Sequence, residues 1–133
     1  MFTATGDNST ATISVANNEV KQVSSYSIPN GGTYLFICII DWKAQLNPSG
    51  FRALLIGVDD YGATPTVPHV SGFRDREMAT HPVSGSDTYC QNIFLLKSST
   101  LKTVRLYGYQ NSGAVLDCYP KLTSIRLKSY QSN

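Results

Sequence analysis

Residues Thr33 to Lys43, TYLFICIIDWK, constrain the fold more than any other stretch. Successive side chains of a β-strand point to opposite faces. Here both alternating sets are apolar, Tyr34, Phe36, Cys38, Ile40 and Trp42 on one side and Leu35, Ile37 and Ile39 on the other. A strand of an antiparallel sandwich meets the core on one face only. A doubly apolar strand therefore calls for a second cover, and the simplest cover is another copy of the same chain. Tyr34, Phe36 and Trp42 are the expected contributors to such an interface.

The rest of the chain agrees with an all-β reading. Glu and Met occur twice each, whereas β-branched residues and 8 Tyr are spread along the chain, with Gly, Pro or Asn recurring between apolar runs. At 133 residues the length suits one domain with a conventional core. Only 15% of residues are charged, so the surface falls largely to the 40 Ser, Thr, Asn and Gln side chains. The net charge of +2 is scattered, unlike the clustered basic footprint of a nucleic-acid binder. No apolar run approaches the roughly 20 residues of a membrane helix. The polar N-terminus lacks a secretion-signal profile, which leaves export by another route or an excised domain as alternatives. Cys38, Cys90 and Cys118 show no metal or redox spacing and read as buried thiols.

Alternation places further strands at Ala11–Val15, Glu19–Ser27, Phe51–Val58, Tyr89–Lys97, Lys102–Gln110 and Ala114–Tyr119 continuing through Leu122–Lys128. In Lys102–Gln110, Val104 and Leu106 oppose Arg105, Tyr107 and Tyr109. Tyr107 and Tyr109 are accordingly expected at a subunit contact. Near the end, Thr123, Ile125 and Leu127 alternate with Leu122, Ser124 and Arg126, and Ile125 and Leu127 are assigned to the core. Residues 1–16 read as an N-terminal extension or first edge strand, and 17–133 as the main domain. Between Asp59 and Asp87 the chain is rich in Gly, Pro and charge, with a short strand expected at Val67–Phe73.

The order of motifs resembles a known family. GGTYLFICIIDWKAQ, then GFRALLIGV, then VRLYGYQNSGAVL and KLTSIRL is similar to the ten-stranded jelly roll of the complement globular-head and tumour-necrosis-factor superfamily. The likeness is greatest to its bacterial and phage versions at the tips of tail fibres and receptor-binding proteins. It rests on Gly32, Tyr34 and Trp42; on Arg52, Ile56 and Gly62; on Val104, Leu106, Gln110, Ser112, Gly113 and Leu116; and on Leu122, Arg126 and Leu127. The resemblance implies an antiparallel jelly-roll sandwich of about ten strands, a homotrimer around a threefold axis, and a place on the virion or another extracellular surface.

Catalytic chemistry finds little footing. His69 and His81 are the only bases for a nucleophilic triad, and no GxSxG elbow is present. Asp59 and Asp60 suggest a cation, but without the ligand spacing of a calcium loop. No cofactor motif occurs. Long irregular segments on β scaffolds are where binding concentrates, and Tyr61, Arg74, Asp75, Arg76 and His81 are the expected ligand residues. Flat aromatic faces beside planar polar groups suit saccharides. The expected function is a non-catalytic adhesin for a cell-surface glycan, the alternative a purely structural trimerisation domain.

Overall fold

The structure is a computed structural model that describes residues 2–9, 12–28, 32–58, 76–98 and 102–127. Among them the chain forms nine strands and no helix. These are β1 (Phe2–Ser9), β2 (Ile13–Val15), β3 (Glu19–Ile28), β4 (Gly32–Trp42), β5 (Arg52–Val58), β6 (Arg76–Thr80), β7 (Thr88–Ser98), β8 (Lys102–Gln110) and β9 (Leu116–Leu127). They build two antiparallel sheets, one ordered β1-β9-β4-β7 with β2 also on β9, the other β3-β8-β5-β6. The pairing is nested: β5 with β6, β4 with β7, β3 with β8, and β1 and β2 with β9.

The two sheets enclose one large apolar cluster. Tyr34, Phe36, Cys38, Ile40 and Trp42 of β4 are fully buried in it, as are Leu54, Ile56, Val104, Leu106 and Leu122. Phe36 stacks on Phe94 of the neighbouring strand, with ring centroids 5.2 Å apart. Trp42 crosses to the opposite sheet at Gly108, where a Cβ would lie only 3.1 Å from its ring. Glycine at that point lets the indole approach the backbone of β8. All three cysteines are free thiols buried in the same cluster, and burial pushes each thiol up to about 12, so none is poised as a nucleophile.

The alternation of β4 has the phase read from the sequence, but the use made of its faces differs. Tyr34, Phe36 and Trp42 have no accessible surface within a single chain, so they have none to give a neighbour and belong to the core. Tyr107 and Tyr109 are likewise buried, packing with Val20, Ala53, Leu55 and Phe51 in a second cluster. Both faces of β5 are buried, from Arg52 through Gly57. β5, together with β8 from Leu106 to Gln110, is therefore what the chain itself covers on both sides. Leu35, Ile37 and Ile39 of β4 are only half-buried.

The phase of β9 is the reverse of that expected. Leu116, Cys118, Pro120, Leu122 and Ser124 point inward and are buried, whereas Ile125 and Leu127 lie half-buried on the outer face. The strand expected over Ala114–Tyr119 and on through Leu122–Lys128 is one continuous strand, described over Leu116–Leu127. Pro120 breaks nothing because it sits opposite the interval between β1, which ends at Ser9 against Lys121, and β2, which begins at Ile13 against Cys118. Proline is tolerated where a ladder asks for no donor. At the edge, β1 pairs with β9 from residue 2 onward, and β6 adds a short strand to β5 over residues that read as irregular.

Buried polar side chains hold the loops at one end. Gln110 donates to the carbonyls of Val15 (2.9 Å) and Ala114 (2.7 Å) and accepts from the Ser112 amide. Arg52 reaches Gln45 Oε1 at 2.7 Å and the Ser49 carbonyl at 3.0 Å. Both residues belong to the resemblance motifs, and their work here is to pin loop backbone to strand ends.

Candidate functional site

The outer face of the β1-β9-β4-β7 sheet is the surface that the core does not explain. Register places its side chains in rows across β9, β4 and β7. One row holds Ile125, Leu35 and Leu95, and the next holds Thr123, Ile37 and Ile93. Ile93 is 56% exposed and Leu95 60% exposed. Single exposed apolar residues need no explanation, but a contiguous patch does. Thr33, Lys97 and Leu127 close it at one end.

At the other end the chemistry changes. Asp41 of β4 stands directly between Tyr89 of β7 and Tyr119 of β9. Because directly opposed residues on adjacent strands project to the same side, the three share the outer face. Tyr89 is 60% exposed and Tyr119 36%. Lys43 Nζ lies 4.9 Å from the centroid of the Tyr119 ring. The Tyr119 hydroxyl bonds Thr12 and Lys43, which lower its pKa, while that bond to Tyr119 raises the Lys43 ammonium. Asp87 closes the group, accepting the Ala44 amide at 2.9 Å. Asp41 Oδ1 is buried without a hydrogen-bond partner.

Desolvation first, and the neighbouring Asp87 second, raise the Asp41 carboxyl above the usual carboxylate range. A carboxyl with a raised folded-state pKa disfavours the folded state once it is charged. Asp41→Asn is therefore expected to raise the melting temperature at neutral pH. The gain should shrink as pH falls through the raised value and vanish below about pH 4, the unfolded carboxylate range. Melts of both proteins across pH 3 to 8 check this, and a pH-independent difference would contradict it.

Of the residues expected to bind ligand, Tyr61, Arg74 and Asp75 lie outside the described residues, as do Asp59, Asp60, His69 and the strand expected at Val67–Phe73. Arg76 opens β6 opposite Ile56. His81 is exposed just past that strand. Asp41, Tyr89 and Tyr119 were not singled out in the sequence because three separate segments supply them. The available signal was the carboxylate of Asp41 interrupting the apolar run Ile39-Ile40-Asp41-Trp42. Among the described residues no group of three or more His, Cys, Asp or Glu is arranged to hold a metal. Compared with known proteins, the chain matches no family profile and no curated sequence.

Proposed function

We propose that this chain is a jelly-roll head domain of the phage tail-fibre type, assembling as a homotrimer and attaching to a cell-surface glycan without catalysis. The observation that carries the reading is the outer face of the β1-β9-β4-β7 sheet. It combines the exposed Ile93 and Leu95 with half-buried Leu35, Ile37 and Ile125. A second copy would remove this apolar area from water, at about 25 cal/mol per Å². The nested strand pairing supports the jelly-roll assignment, since a long antiparallel ribbon rolled on itself gives this order.

Sedimentation equilibrium tests the assembly. The wild-type chain is expected to run as a trimer at micromolar concentration, and Ile93→Asp with Leu95→Asp as a folded monomer with an unchanged circular-dichroism spectrum. A monomeric wild type would sink the trimer. The same apolar face also favours the second reading, a trimerisation domain with no ligand of its own. An array of bacterial surface glycans separates the two, because only an adhesin gives a hit.

A further inference from the structure

We infer that the Tyr89–Asp41–Tyr119 row, with Lys43 and Asp87 beside it, is a binding site for an uncharged pyranoside. This deepens the adhesin reading and rests on it, but places contact on a sheet face, with only Asp87 drawn from the 59–87 segment. Strands in a sheet lie about 4.8 Å apart, so the two tyrosines straddle Asp41 at roughly twice that spacing. Both rings are exposed. An exposed aromatic pair with a carboxylate set between them offers a sugar what it needs: flat π faces for its C–H surface and acceptors for its hydroxyls.

The polar groups are already oriented. Lys43 Nζ is held over one face of the Tyr119 ring, 4.9 Å from its centroid, which sets an ammonium donor against that ring. Asp87 is anchored by the Ala44 amide. Asp41 Oδ1 is buried and has no hydrogen-bond partner. The acceptor open to a sugar hydroxyl is therefore the exposed Asp87 carboxylate, and Asp41 acts through the charge it adds beside it. Two carboxylates against one ammonium disfavour acidic sugars, so the class is a neutral hexose or deoxyhexose. The row lies four residues along β4 from Ile37, or about 13 Å. The apolar centre of the face can therefore be covered by another copy while this end stays open.

The test uses the full chain on an array carrying neutral and acidic bacterial polysaccharides, followed by titration of methyl glycosides of the sugars found. Wild type is expected to bind neutral glycans, and Tyr89→Ala with Tyr119→Ala to bind more than tenfold more weakly at unchanged trimer mass and melting temperature. Asp41→Asn, read separately, should weaken binding while leaving the fold intact, so the result does not depend on one variant. Wild-type binding that both variants retain would overturn this site and leave the adhesin reading standing. An array with no wild-type hit would overturn the adhesin reading itself. Preference for acidic glycans would contradict the assigned class.

Discussion

Phe36→Asp is expected to yield no folded protein. Phe36 is fully buried and stacked on Phe94, so the substitution loses the ring and leaves a carboxylate in an apolar cluster. Loss of a buried phenylalanine alone costs about 3–5 kcal/mol, and an unpaired buried charge adds several more. Against a total stability of about 5–15 kcal/mol, little remains. A flat thermal melt with a coil-like circular-dichroism spectrum is the expected result. The outward control, Ile93→Asp, should melt cooperatively. A folded Phe36→Asp would mean that the two faces of β4 have been exchanged.

The second large effect centres on Trp42 and Gly108. Trp42→Ala should destabilise by about 3–5 kcal/mol, because the indole fills the space between β4 and β8. Gly108→Ala alone should cost about 1–3 kcal/mol, as its methyl would press on the fully buried indole. In the Trp42→Ala background the same methyl enters vacated space, and its cost should vanish. Urea melts of the four proteins measure the coupling. Additive losses would show that the two residues do not touch.

Strand positions were legible wherever apolar and polar residues alternate strongly, as in β4 and β8. Phase was legible only where one set was clearly larger. In β4 the aromatics mark the inward side. In β9 the inward set includes Ser124 and Pro120 and the outward set Ile125 and Leu127, so hydrophobicity alone points the wrong way. β6 escaped notice because REMAT, residues 76–80, shows no alternation of apolar and polar residues. The tyrosine row was invisible for another reason: Asp41, Tyr89 and Tyr119 become neighbours only through the registers of β4 with β7 and β9. Reading those registers needs the turns and bulges as well as the pattern.

The nested pairing has a consequence for biosynthesis. β1 and β2 both rest on β9, and β4, synthesised far earlier, has β9 as one of its two neighbours. A nascent chain that has not yet reached residue 127 thus holds its first strands without a partner and β4 as an apolar edge. Such edges recruit other chains readily. Closure is a single late event that must span almost the whole described length, and loop entropy makes it slow. Ribosome pausing before β9, or truncation within it, should therefore send this protein to aggregates rather than to a smaller folded product.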